Sequence, residues 1–250
     1  MKTTGNTILI TGGGTGIGLA LAGLLLKEGN QVLICGRRKE VLDEARRKLP
    51  KLNTLQCDVA DAAGRQSLLD WATRDFPDLN ILVNNAGIQR QIDFRKGAAD
   101  LRAGEDEITV NLLGPVHLTA LFIPHLMRQE SAAIVNVSSG LGFIPLAIMP
   151  VYCATKAAIH SFSLSLRHQL RDTSVRVFEV IPPTVDTNLD RGARQGRGQA
   201  ERGIPPEEVA TATLKGLAED EYELAIGQAQ GLRRGSREDL DQIFQRMNSH

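Results

Sequence analysis

Seven short runs rich in Val, Ile and Leu recur along the chain: TILIT at 7–11, QVLIC at 31–35, NTLQC at 53–57, NILVN at 80–84, AAIVNVS at 132–138, VRVFEV at 175–180 and YELAI at 222–226. Segments with helical periodicity lie between them. Most of the runs stay apolar without alternating, as strands must when both of their faces are covered, and their alternation with helices marks βαβ units. The expected fold is α/β: a doubly wound parallel sheet of about seven strands with helices on both faces. A chain of 250 residues is long enough to bury a large core in one such domain, so residues 1–250 are read as a single unit. Ligands of such sheets sit beyond the carboxyl ends of the strands, which directs attention to the residues that follow each run.

The charge balance narrows the partner. With 29 basic and 29 acidic residues interspersed, no global field favours nucleic acid or an anionic membrane, and a small molecule is expected instead. Cys35, Cys57 and Cys153 are odd in number and lack metal-ligand spacing, which argues against a disulfide framework and a zinc site and for reduced thiols. The first residues, MKTTGNTILITGG, contain an apolar run of strand length but no signal-peptide pattern or membrane span, so a cytoplasmic location is expected. The one stretch of biased composition, 191–203, is rich in Gly, Arg and Gln and reads as a mobile surface loop.

The first run ends in TGGGTGIG and leads into an apolar helix. Gly12, Gly16 and Gly18 are spaced G-x3-G-x-G, which departs from the strict G-x-G-x-x-G fingerprint. A tight structural turn would use the same residues. Placed directly after the first strand of a βαβ unit, however, the glycines allow backbone N–H groups and a helix N-terminus to approach a pyrophosphate, the feature of a dinucleotide-binding (Rossmann) fold. Later, Tyr152 and Lys156 stand four residues apart in VYCATKAAIHS, on one face of a helix. In isolation this would be an amphipathic helix with a snorkelling lysine.

The strand ends, read in order, give TGxxxGIG, CDV at 57–59, NNAG at 84–87, Asn111 in ITVNLLG, NVSSG at 136–140, YCATK and IPPTVDT at 181–187. From about residue 6 to about residue 188 this ordered set resembles the short-chain dehydrogenase/reductase family. Within it the chain looks most like the bacterial oxidoreductases associated by name with D-alanine esterification of teichoic acids. The resemblance implies hydride transfer between a nicotinamide and a carbonyl or secondary alcohol carbon, with Tyr152 as general acid and base. A phenol has an ordinary pKa of about 10, and a nearby ammonium favours its ionised form, so Lys156 would tune Tyr152 while also holding the nicotinamide ribose. Ser139, thirteen residues before Tyr152, would orient the substrate oxygen; Ser138 competes for that role, and either could cap a turn. Asn111 would hold a relay water, the alternative being a backbone-bonded residue at a helix kink.

The same resemblance places Gly12, Thr15, Gly16, Ile17 and Gly18 on the pyrophosphate, Asp58 and Val59 near the adenine, and Asn85, Ala86 and Gly87 near the adenosine ribose. Tyr152, Lys156, Pro182, Val185 and Thr187 fall at the nicotinamide. Asp58 also reads as a turn cap, and 84–87 as a fastening of the central sheet. At the end of the second run, ICGRR, an NAD-using member would carry a carboxylate; here Gly36 takes that slot, followed by Arg37 and Arg38, which can pair with a 2′-phosphate or simply be solvated. NADP(H) is favoured over NAD(H). The family usually has Pro-Gly after the sixth strand, whereas this chain has Pro182 and Pro183, which fixes φ and removes a donor.

The substrate region is expected from GLGFIPLAIM at 140–149, IQRQ at 88–91, and a lid loop at 188–204 whose Arg191, Arg194, Arg197 and Arg202 would clamp an anion or remain solvated. A carrier-linked β-ketoacyl reductase is an alternative activity, although the helix RRKEVLDEARRK is mixed in charge rather than basic. A non-catalytic NADP(H)-binding sensor is the alternative of another class. An epimerase or dehydratase is disfavoured, because little chain follows the sixth run. Family resemblance further implies a homodimer or homotetramer through helices at about 105–130 and 150–171, and no metal.

Overall fold

Each apolar run forms a strand. A computed structural model describes residues 1–102, 106–190 and 203–249. Its strands are β1 (Thr7–Thr11), β2 (Gln31–Gly36), β3 (Asn53–Gln56), β4 (Leu79–Asn84), β5 (Ala132–Val137), β6 (Val175–Ile181) and β7 (Glu223–Ala225). They build one sheet in the order β3-β2-β1-β4-β5-β6-β7, with every pairing parallel. The connecting helices are α1 (Gly16–Lys27), α2 (Lys39–Lys48), α3 (Ala62–Asp75), a short α4 (Ala99–Arg102), α5 (Gly114–Leu126), α6 (Pro150–Gln169) and α7 (Pro206–Ala218). After β7 the chain adds α8 (Gln228–Glu238) and α9 (Leu240–Met247).

Both faces of the sheet are covered, which is why its strands can be apolar throughout. On one face Ile8, Ile10, Val32, Ile34, Val135 and Phe178 pack against α1, α2 and α7. On the other, Leu9, Leu33, Leu82, Ile134 and Val177 pack against α3, α5 and α6. The stretch Thr109–Leu126 is apolar and long enough to cross a membrane, but half of it is buried inside the protein, as expected of a core helix. Local signals set the boundaries. Asp61 caps α3 by accepting from Gly64 N, and Pro150 starts α6 at a position where its missing N–H costs nothing. A five-residue π-helical turn, Thr109–Leu113, precedes α5 and contains Asn111.

One rung of the sheet is polar. Asn84, Asn136, Glu179 and Glu223 are register neighbours across β4, β5, β6 and β7. Beneath α5 and α6, Asn84 Nδ2 donates to Asn136 Oδ1 at 2.9 Å and to Thr119 Oγ1 at 3.2 Å, and Asn136 Nδ2 donates to Ser163 Oγ at 3.0 Å. These bonds offset most of the cost of burying the two amides, while Asn84 Oδ1 is a buried acceptor without a hydrogen-bond partner among the described residues. Asn136→Ala removes two of these bonds and leaves a void, so it should lower unfolding stability by about 2–3 kcal/mol in urea titration. A loss below about 0.5 kcal/mol would show that the rung does not support the core.

Candidate active site

The carboxyl ends of the strands open into one cleft of about 2420 Å³. Its glycine-rich end is built for close backbone approach. Gly12 has φ 65°, and a Cβ there would lie 2.8 Å from Ala86 Cα. Gly16 has φ 53°, and a Cβ there would meet Thr187 Cγ2 at 3.0 Å, so the turn after β1 touches the segment after β6. At Gly18 a Cβ would come within 2.6 Å of Asn85 Nδ2 and 2.7 Å of Gly12 O, which leaves glycine as the residue that fits beneath the turn. Gly12, Gly14, Thr15, Gly16 and Ile17 line the cleft at the start of α1, whereas Gly18 lies behind them. This cradle suits a pyrophosphate at a helix N-terminus.

Asn85 faces inward. Its Nδ2 donates to Thr11 O at 2.9 Å, and the Asn85 and Ala86 N–H groups both donate to Thr11 Oγ1 at 3.0 Å. The Asn85 amide thus fastens β4 to β1, and it is the backbone of Asn85, Ala86 and Gly87 that borders the cleft. Asp58 makes a local turn, accepting from Ala60 N at 2.9 Å, and lines the cleft with Val59. Gly36, Arg37 and Arg38 lie at the same end. A Cβ on Gly36 would meet only Leu42 Cδ2 at 3.6 Å, so the slot is open.

At the other end α6 brings Tyr152 and Lys156 to the cleft floor beside Ser139. Lys156 Nζ stands 5.6 Å from the Tyr152 ring centroid and donates to Val137 O at 2.8 Å. Burial pushes the Lys156 ammonium down to about 8, against the Glu179 carboxylate, which pulls it up. Ser139 Oγ accepts from Leu141 N at 3.1 Å, so it caps the turn at 140–142 and faces the cleft as well. Ser138 also borders the cleft, but its Oγ is engaged, donating to Glu179. Asn111 spends its side chain on the protein: Oδ1 accepts from Ile88 N at 2.9 Å, and Nδ2 donates to Ile88 O at 2.8 Å and to the Thr155 hydroxyl at 3.3 Å. A Cβ on Gly87 would lie 3.4 Å from Asn111 Oδ1 and 3.8 Å from Lys156 Nζ, which places Asn111 and Lys156 around one small space.

Pro182, Pro183, Val185 and Thr187 line the cleft after β6. The two prolines do not loosen the segment: Pro182 O accepts from Gly140 N at 3.0 Å, tying it to the turn after β5, and no peptide bond among the described residues is cis. Beyond, Ile204 N donates to Thr184 O at 3.0 Å and Asp186 N to Ile204 O at 2.9 Å. Of the 188–204 loop, Asn188 and Leu189 line the cleft; Arg191, Arg194, Arg197 and Arg202 lie outside the described residues.

From GLGFIPLAIM, the side chains of Leu141, Leu146, Ala147, Ile148 and Met149 reach the cleft, whereas Ile144 is buried and Phe143 packs on His160. From IQRQ, Ile88 and Gln89 line it and Arg90 does not; Arg90 N donates to the buried Glu107. Sequence reasoning missed the far wall. The helices α8 and α9 supply Leu232, Ile243 and Met247, and Asn248 Oδ1 accepts from Ala147 N at 2.6 Å. The amphipathic spacing of Leu240, Ile243, Phe244 and Met247 was the available signal, although it does not say what the apolar side covers.

The family profile described as short chain dehydrogenase matches residues 6–198. The uncharacterized oxidoreductase DltE of Bacillus subtilis (strain 168) is 56% identical over 249 residues, which is 100% of this chain and 99% of that protein. A short chain dehydrogenase/reductase from Burkholderia phymatum, solved in complex with NAD, superposes with a TM-score of 0.85 at 25% identity, covering 97% of this chain and 96% of its own. One from Burkholderia cenocepacia J2315, solved in complex with NADP, gives 0.84 at 27% identity and covers 99% of each chain. By the extent of these matches and by its fold, the chain belongs to the short-chain dehydrogenase family of oxidoreductases, in the group of DltE.

Proposed function

We propose that the protein is an NADP(H)-dependent oxidoreductase of small molecules, acting between a carbonyl and a secondary alcohol, with Tyr152 as general acid and base. The observation that carries this reading is the meeting of Tyr152, Lys156 and Ser139 on the floor of one cleft whose opposite end is an open glycine cradle. A nicotinamide dinucleotide, when bound, supplies or accepts the hydride, which no side chain here can do.

The cradle residues fit such a group, since side chains at Gly12 and Gly16 would strain the turn and close the approach. Gly12, Thr15, Gly16 and Ile17 hold the pyrophosphate, with Gly18 packed behind the turn in support, Asp58 and Val59 meet the adenine, and Asn85, Ala86 and Gly87 border the adenosine ribose. Arg37 and Arg38 bind the 2′-phosphate beside the open slot at Gly36. Pro182, Val185 and Thr187 orient the carboxamide. Lys156 holds the nicotinamide ribose hydroxyls and lowers the Tyr152 phenol by its charge. Ser139 Oγ orients the substrate oxygen, and Tyr152 Oη gives it a proton in reduction or takes one in oxidation. Because the Asn111 amide is committed to Ile88 and Thr155, its main-chain carbonyl is the group left to hold a relay water.

The wall of Leu141, Leu146, Met149, Leu232, Ile243 and Met247 suits a substrate with an apolar body next to the reacting carbon. Asn188 and Leu189 border the same wall, and the protein works in the cytoplasm as a homodimer or homotetramer in this reading. Ile108 at 47%, Leu113 at 42% and Leu164 at 42% exposure offer apolar side chains for a second copy to cover.

NADPH oxidation against a panel of aldehydes, ketones and β-ketoacyl thioesters tests the activity. On any substrate found, Tyr152→Phe should lower kcat by about 10²–10⁴-fold with NADPH affinity changed less than about threefold. Near-normal kcat would remove Tyr152 from the chemistry. Gly36→Asp places a carboxylate in the open slot and should weaken NADPH by about tenfold or more in fluorescence titration while sparing NADH. Equal weakening of both cofactors would mean that the 2′-phosphate lies elsewhere.

A further inference from the structure

Behind the cleft floor, β6 carries a carboxylate that the mechanism above leaves unused. Glu179 is 0% exposed, and both of its oxygens are engaged. Ser138 Oγ donates to Oε1 at 2.5 Å, and His160 Nδ1 lies 2.8 Å from Oε2. Ser138 immediately precedes Ser139. His160 follows Lys156 by four residues, as Lys156 follows Tyr152, so the three share one stripe of α6. The Phe143 ring, 4.6 Å from the His160 ring, holds the imidazole from the other side.

A buried carboxylate is costly unless it is hydrogen-bonded and balanced by charge. The same holds for the ammonium of Lys156, whose acceptor, Val137 O, is neutral. Val137 and Val180 are register partners, one residue on from the Asn136–Glu179 pair, so the ammonium and the carboxylate occupy successive rungs under α6. Ser138 Oγ and His160 Nδ1 engage the two oxygens of Glu179, and the carboxylate balances the ammonium on the neighbouring rung. The titratable groups facing this set are Tyr152 and His160 from α6 and Glu179 from β6. One strand further, Glu223 of β7 is already bridged by Arg167 of α6 and Arg233 of α8. From β5 and the turn before α5 come the neutral Ser138, Val137 O and Asn111. Glu179 is the charge that acts on Lys156.

We propose that Glu179 is a positioning residue of this active site: a buried counter-charge, oriented by Ser138 and His160, that keeps Lys156 an ammonium at neutral pH. This rests on the reading of Lys156 as the group that holds the nicotinamide ribose and tunes Tyr152. Ser138 and Ser139 then divide the work of the strand end, one fixing the carboxylate behind the floor and the other facing the substrate. The direction of the effect follows from charge. Burial already pulls the Lys156 proton affinity down, to about 8, and Glu179 opposes that pull, so loss of the carboxylate lets it fall further. A larger share of Lys156 would then be neutral at pH 7, and the ribose clasp would weaken there but recover as the pH is lowered.

The test follows the lysine itself and needs neither cofactor nor substrate. In full-length protein carrying Tyr152→Phe, so that no phenol titrates alongside, the 13Cε resonance of Lys156 is followed against pH in lysine-labelled samples and assigned by its loss in Lys156→Met. Glu179→Gln should move its midpoint at least about one pH unit lower, a tenfold loss of proton affinity, while Glu179→Asp stays near the parent. An unchanged midpoint in folded Glu179→Gln overturns the proposal. If Glu179→Gln does not fold, the reciprocal measurement decides: coupling between two groups is mutual, so Lys156→Met should raise the midpoint of the Glu179 13Cδ resonance by a similar amount, and no rise overturns the proposal. NADPH titration run beside these samples separates the two levels. Failure of NADPH to bind at any pH would remove the functional reading, while the shift in the lysine midpoint would still report on Glu179.

Discussion

Lys156 places an ammonium where water hardly reaches, bonded to the Val137 carbonyl at 2.8 Å and pulled toward neutrality by its burial. An apolar helix pressed onto a sheet gains nothing in stability from such a group. The surrounding structure compensates at each point. Val137 O accepts from it, Glu179 opposes its loss of charge, and the approach of α6 to the turn at 140–142 is so close that a Cβ on Gly142 would sit 2.9 Å from the Lys156 carbonyl carbon. Buried charge of this kind clusters at functional sites, and here it stands 5.6 Å from the Tyr152 ring.

The topology gives this charge its setting. Because β1, β4, β5 and β6 run parallel and adjacent, their carboxyl ends open on the same edge, so turns distant in sequence meet there. Thr187 packs over Gly16, Ala86 over Gly12, and Pro182 O receives Gly140 N. The polar rung Asn84–Asn136–Glu179 lies directly behind those ends. It ties the strands laterally through side chains where the ladder is about to give way to loops. Its cost in buried polarity is offset in part by hydrogen bonds along the rung, and it continues to the Glu179 carboxylate, which Ser138 and His160 engage.

Much of this was legible in the sequence because the relevant signals are local. Seven apolar runs marked seven strands, and the order of glycine turn, NNAG, Ser139 and Tyr152–Lys156 marked the cleft. Every strand but β1 has an edge moved by a residue: Cys57, Ser138, Tyr222 and Ile226 fall outside their strands and Gly36, Leu79 and Ile181 join theirs, since the last ladder bond is decided by the neighbouring strand and not by the residue's own propensity. What stayed hidden depends on register and on distant packing. Glu179 inside VRVFEV gives no sign of its partners until β6 is aligned with β5 and α6 is laid across them. Likewise α9 reads as an amphipathic helix, and only its docking through Asn248 onto Ala147 N and Pro145 O makes it a wall of the cleft. After β6, where Pro183 removes a donor, the Pro182 carbonyl joins the segment to the turn after β5.

The claim on which the rest turns is that Lys156 exchanges the Val137 carbonyl for the hydroxyls of a nicotinamide ribose, which brings that ring beside Tyr152. A crystal structure of the protein with NADP+ measures this directly. Lys156 Nζ should lie within hydrogen-bond distance of the ribose hydroxyls, the pyrophosphate on the N–H groups of Thr15–Ile17, and the nicotinamide facing Tyr152 and Ser139. A dinucleotide bound with Lys156 still on Val137 O and without contact to the ribose, or one lying outside the glycine turn, would contradict it.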